Sequence, residues 1–273
     1  MPGPSPLRAP PSERDAPALL RFGVVNLDKP AGPSAHQVAA WVRDEVDETL
    51  AALDAAPAGR AAHAGTLDPK VTGCLPTLTG DATRVAQALT GEKEYVAVLE
   101  LHGPAPGDLD AVLAEFEGPL YQKPPRKSAV ARRLRVREVY DLEVLDRADR
   151  RVLLRVRCEA GTYVRKLCHD LGLALGTGAH MGDLRRTAAA PFDDATLVGL
   201  TDLWDALAAV REGDEGWLRD VVAPAERALD GLPRVVIDRA AAEQVAHGAP
   251  VYAPGVRAVE AGSAGSEDDG RPP

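Results

Sequence analysis

A chain of 273 residues, 45% hydrophobic and 27% charged, is long enough for one large core, or for one core with a small appendage. Its formal charge of −9 argues in total against a nucleic-acid partner, because neutralising phosphates calls for a basic surface; yet only Lys29, Lys70, Lys93, Lys123, Lys127 and Lys166 are lysines, and the acids spread over most predicted surfaces, the pattern of a solvated acidic coat such as halophilic proteins carry. Cys74, Cys158 and Cys168 lack C-x-x-C spacing and so support neither a disulfide framework nor a structural zinc site, and no apolar run is long enough for a bilayer, which makes reducing cytoplasm the expected compartment.

The opening stretch mixes Pro, Ser, Arg and Asp without periodicity, and residues 1–21 are expected to form a flexible arm. Gly23 to Leu27 reads as a short buried strand. Val38, Trp41, Val42 and Val46 have helical spacing, with Ser34 as N-cap, and an Ala-rich linker runs on to Arg60. His63 to Gly73 holds two glycines and Asp68-Pro69, which is turn chemistry, before Thr83 to Leu89 resumes a helical pattern. Tyr95, Ala97, Leu99 and Leu101 alternate, as do Val152, Leu154, Val156 and Cys158, so both runs read as strands with one buried face. Between them lie a short helix over Leu109 to Phe116 and an extended Pro-rich loop over Tyr121 to Pro125. Tyr163 to Leu175 reads as a helix, and another runs from Leu203 toward Val210. Leu229 to Pro233 marks a boundary before a strand at Val235 to Ile237. Strands interleaved with helices predict an α/β (α+β) class. Residues 22–231 are the expected main domain, with 232–257 an appendage and 258–273 a disordered tail.

Three groups of residues invite chemistry. Asp68 lies between Gly65 and Gly73 with Pro69 stiffening its platform, and a fixed, exposed carboxylate suits nucleophilic catalysis; an ordinary Asp-Pro turn is the plain alternative. Arg165 stands where a strand gives way to a helix. Beside Asp68 it would keep that carboxylate ionised, although arginines at helix starts are commonly surface residues. Tyr95 and Tyr163 offer flat faces on which an extruded base could stack, a contact worth roughly 1–3 kcal/mol per base, or are simply core. From Lys123 to Arg137 the chain carries Lys123, Arg126, Lys127, Arg132, Arg133, Arg135 and Arg137 with no acid, which is the best candidate for an RNA backbone contact.

In order, Asp28-Lys29-Pro30 with Gly32 and Ser34, the Asp68 loop, Lys93-Glu94-Tyr95, Pro124-Pro125 with Ser128-Ala129, Gly161-Thr-Tyr-Val-Arg165 and Leu184-Arg-Arg-Thr187 resemble the TruB family of pseudouridine synthases. The wording around Tyr121 to Val130, Val156 to Tyr163 and Leu175 to Met181 resembles the archaeal catalytic subunit of box H/ACA particles, and the likeness runs from Phe22 to about Gly255. The resemblance implies a central mixed, mainly antiparallel sheet flanked by helices, and an RNA-modifying isomerase that needs no cofactor or metal. By it Asp68 is the nucleophile, Tyr95 stacks on the target base and helps remove a proton, Arg165 pairs with Asp68, and Tyr163 and Leu184 line the pocket. His63 and Lys29 would support the loop and the RNA, with Lys123, Arg126, Lys127, Arg132 and Arg133 on the backbone. The implied substrates are tRNA, at the T-loop uridine, and rRNA sites chosen by a guide RNA. The implied partners are that guide, two small H/ACA protein subunits and a kink-turn-binding protein. Residues 232–257 resemble only the opening of a PUA domain, and a barrel short of strands is expected to be poorly stable. Beside this stand a stand-alone tRNA enzyme, a catalytically idle RNA-binding scaffold, and a hydrolase pairing Asp68 with His63.

Overall fold

The computed structural model describes residues 7–124, 131 and 133–262. Its frame follows from burial period. β1 (Gly23–Lys29) is buried almost throughout and therefore lies inside a sheet, with helices or loops on both faces. α1 (Ala16–Leu20) precedes it and α2 (Ala35–Ala52) follows it. β2 (Ala61–His63) and β3 (Thr72–Thr79) flank the Asp68 loop. β4 (Lys93–Leu101) buries every second residue, as its alternation predicted. Next come α3 (Leu109–Ala114), β5 (Gly118–Gln122), β6 (Arg135–Ala148) and β7 (Arg151–Cys158). α4 (Val164–Ala174), β8 (Ala179–Ala189), β9 (Phe192–Asp193), α5 (Leu200–Arg211), α6 (Leu218–Val221) and β10 (Ala223–Pro224) complete the main body.

Among the described residues, one sheet runs in the order β10-β1-β3-β8-β4-β7-β6-β5, with β2 also on β3 and β9 on β8. All its pairings are antiparallel except β3 with β8, where Gly73 stands opposite Arg186. The sheet is thus mixed and mainly antiparallel, as the resemblance implied. α2 starts at a capping box in which Ser34 and Gln37 bond each other's backbone N–H. It buries Val38, Val42, Val46 and Leu50, in one cluster with Leu203, Leu207 and Val210 of α5.

Several expectations are corrected. Residues 7–21 are packed rather than a free arm: Leu19 and Leu20 of α1 are buried, and Arg14 is held by Glu226 through two bonds of 2.5 and 2.9 Å. Pro17 sits in the first turn of α1, where a missing N–H costs nothing. The loop expected around Tyr121 begins as strand β5, and Pro119 is tolerated there because β5 is the edge of the sheet. The pattern at Thr83–Leu89 closes as a 3-10 run over Gly80–Ala88. Beyond the main body, β11 (Arg234–Ile237) pairs with β12 (Val256–Glu260) around α7 (Arg239–Ala246), leaving Val235, Val236 and Val259 exposed. Because β12 continues to Glu260, regular structure extends past the boundary expected at residue 257. No helix among the described residues is long and apolar enough to cross a membrane.

Candidate active site

Asp68 lies on the loop between β2 and β3, and that loop is anchored at several points. The Ala64 N–H donates to the Pro76 carbonyl at 2.8 Å, and the Val71 N–H closes a turn onto the Asp68 carbonyl at 2.9 Å. The Gly32 N–H reaches the Pro69 carbonyl at 2.8 Å. Beneath sits Lys29, at 0% exposure, whose ammonium donates to the carbonyls of Pro30 (2.8 Å), Pro69 (3.1 Å) and Val71 (2.8 Å). Burial lowers its pKa. Lys29 is thus bonded to the backbone of the Asp68 loop and has no exposed surface. Gly73 ends the loop at φ +96°, and a Cβ there would meet the Arg186 carbonyl oxygen at 2.2 Å. Glycine is required at that point because the backbones of β3 and β8 converge.

Arg165 occupies the first turn of α4, and its guanidinium forms an ion pair with the Asp68 carboxylate. The two side chains are about half exposed, at 47% and 49%, so the pair faces the cleft mouth. The turn before α4 is set by Gln122, a buried amide on β5 that accepts from the Tyr163 N–H at 2.9 Å and donates to the Tyr163 carbonyl at 3.4 Å. Sequence reasoning missed Gln122, because its role depends on a strand pairing 41 residues away from Tyr163.

These elements enclose a cleft of about 500 Å³ lined by His63, Asp68, Tyr95, Tyr163, Arg165 and Leu184, within the usual size range of ligand sites. Every candidate pocket residue from the sequence except Lys29 converges there. His63 is half-buried, and burial, then the charges of Arg186 and His36, lower its pKa. Its Nδ1 has no partner among the described residues, and Asp68 is engaged by Arg165 instead, an arrangement that does not favour the hydrolase reading. A second cleft of about 800 Å³ shares Arg165 and Met181 with the first and adds Tyr121, Lys123, Lys166, His169 and His180. Lys123 and Arg133 of the basic stretch are exposed; Arg126, Lys127 and Arg132 lie outside the described residues. Arg137, from the same stretch, is drawn instead to Glu159 at 3.0 Å.

Two buried basic residues that the sequence analysis named only within motifs, without a role, line the cleft: Lys93 and Arg186. Lys93 is buried and donates to the carbonyls of Leu89 (3.3 Å) and Gly91 (2.9 Å). Desolvation, and then the Arg186 charge, push its pKa down to about 8. Between that value and the ordinary 10.5 the unfolded chain binds more protons than the folded one, so this group makes stability rise with pH across the window. We expect the urea midpoint of the wild-type protein to gain on that of Lys93→Met between pH 8 and pH 10. Parallel curves for the two proteins would refute it.

Three stretches match described families: the DKCLD domain at residues 3–39, the N-terminal domain of TruB family pseudouridylate synthases at 54–108, and the C-terminal domain of tRNA pseudouridylate synthase B at 165–230. A probable tRNA pseudouridine synthase B of Haloarcula marismortui is 62% identical over 262 residues, covering 96% of this chain and 80% of that protein. One of Halobacterium salinarum is 62% identical over 259 residues, covering 92% and 83%. Among solved structures, a chain of a Cbf5-Nop10-Gar1 complex superposes with a TM-score of 0.83 at 47% identity, covering 93% of this chain and 76% of that one. A chain of an H/ACA RNP bound to a substrate RNA containing 2′-deoxyuridine gives 0.81 at 46%, covering 93% and 75%. An identity this high, sustained over nearly the whole length and joined to a carboxylate–guanidinium pair at the mouth of a cleft, leaves one assignment: the chain belongs to the TruB family of pseudouridylate synthases.

Proposed function

We propose that this enzyme converts specific uridines in RNA to pseudouridine with Asp68 as nucleophile. The observation that carries the proposal is the Asp68–Arg165 ion pair, standing in one cleft with Tyr95, Tyr163 and Leu184. The target nucleotide leaves its stack at a cost of a few kcal/mol, and its base enters the cleft against Tyr95. The Asp68 carboxylate attacks the ribose C1′; the bond from C1′ to N1 breaks, and its electron pair leaves with the uracil. The uracil turns, its C5 attacks C1′ and displaces Asp68. The C5 proton is then lost and N1 gains one, so no atom or electron is left over. Tyr95 is the side chain we assign to assist that proton removal.

The substrates we propose are the T-loop uridine of tRNA and guide-directed sites in rRNA, and the phosphates would follow the second cleft past Lys123 and Lys166. Partners of the Nop10 and Gar1 type, together with a guide RNA, fit a chain so similar to one found in a Cbf5-Nop10-Gar1 complex. We assign the reaction to the cytoplasm. Its test is pseudouridine formation on unmodified tRNA and rRNA transcripts in high-salt buffer, which suits the acidic coat. The chain alone is compared with the chain plus guide RNA and both small subunits. We expect product on the guided rRNA site only in the full mixture. Product on tRNA from the chain alone would establish unaided tRNA recognition, and no product in either mixture would overturn the proposal in favour of an idle RNA-binding scaffold.

A further inference from the structure

Arg186 is the largest fully buried side chain among the described residues, at 1% exposure, and no carboxylate among those residues pairs with it. A buried cation without an acid is costly unless its donors are satisfied otherwise. Here they are spent on backbone: Nε donates to the Cys74 carbonyl at 2.7 Å, and one terminal nitrogen donates to the carbonyls of Gly65 at 3.1 Å and Ala64 at 3.5 Å. Arg186 stands directly opposite Tyr95 in the β4–β8 register and both side chains line the cleft, where the Arg186 charge works against the burial that raises the Tyr95 pKa. Its neighbour Arg185 turns the other way and grips Asp28 with two bonds of 2.9 and 3.0 Å, so adjacent arginines on β8 serve different partners.

We infer that Arg186 is a positioning residue for the reaction: its planar fork ties the start of the Asp68 loop at Ala64 and Gly65 to β3 at Cys74 and to Tyr95 on β4. This fixes the distance between the attacking carboxylate and the face on which the base stacks. The inference rests on the roles proposed above for Asp68 and Tyr95. A lysine at 186 keeps the charge but cannot hold a planar array of donors to separate elements. A misplacement of about 1 Å in such a site costs on the order of 100-fold in rate.

The test uses whichever mixture supports turnover, with single-turnover rate and RNA affinity measured separately. For Arg186→Lys we expect a rate lower by about 100-fold with RNA affinity unchanged, a split that general loosening of the fold does not produce. Gly65→Ala disturbs the same contact from the loop side, since a Cβ on Gly65 would stand 3.2 Å from an Arg186 terminal nitrogen and its φ of +83° strains the backbone that the guanidinium holds. It should show the same split, and it decides the matter if Arg186→Lys does not fold. A wild-type rate in either folded variant, or affinity falling in step with rate, would overturn the inference. Asp68→Asn is run in parallel: turnover in that variant would sink the nucleophile assignment itself, whatever Arg186 does.

Discussion

Asp68→Asn is expected to lower the single-turnover rate of pseudouridine formation by roughly 10⁴-fold or more, equivalent to about 5.5 kcal/mol of barrier, while RNA affinity stays near that of the wild type. The asparagine keeps the volume of the aspartate and the turn it stands on, because the bonds that hold the loop come from backbone groups of Gly32, Ala64 and Val71 and from the Lys29 ammonium. None of them uses the Asp68 carboxylate. What disappears is the anionic oxygen proposed to attack C1′ and the negative charge that pairs with Arg165, although the amide oxygen can still accept from it. Quantifying product after one enzyme equivalent, together with a filter-binding isotherm, checks both halves. Turnover near the wild-type rate would remove Asp68 from the mechanism.

The second large effect is expected at Arg165. Replacing it with methionine should cost about 10²–10³-fold in rate, and lysine should recover little of that, because an ammonium cannot match a carboxylate with a planar fork. Stability should hardly move. The pair is half exposed on both sides, and exposed ion pairs contribute only about 0–1 kcal/mol to folding. Thermal melting and single-turnover rates on the same preparations separate the two. A Tm that falls in proportion to the rate would show that Arg165 holds the fold together rather than the nucleophile.

Those residues were visible in the sequence because each stands at a change of local structure: Asp68 in a turn between two glycines, Arg165 where strand alternation gives way to helical spacing. β4 and β7 were visible for a related reason, since both bury one face and so display a period of two. β8 was not. It lies between β3 and β4 in the sheet yet reads Ala-His-Met-Gly-Asp-Leu-Arg-Arg-Thr-Ala-Ala, and its polar side chains are matched by partners distant in sequence. Arg185 finds Asp28, Thr187 finds Glu94 at 2.7 Å, and Arg186 finds backbone carbonyls. Its alternation is further broken by irregular register against β4. The burial of Lys29 was illegible for a like reason, since it depends on three carbonyls converging on its ammonium, which make a buried position tolerable. Composition hid the site as well, because the total charge says nothing of where the few lysines lie.

The contact of Arg14 with Glu226 has a consequence in time. The two residues are 212 positions apart, and β1 likewise pairs through Gly23 and Val24 with Pro224 and Ala223. At roughly 5–20 residues per second, a ribosome delivers the second partner about 10–40 s after the first. Throughout that interval Arg14 has no Glu226 to pair with. The strand that carries the loop's supporting lysine likewise waits with one edge open. The Arg14 end of the described residues therefore completes this contact only after residue 226 has been made.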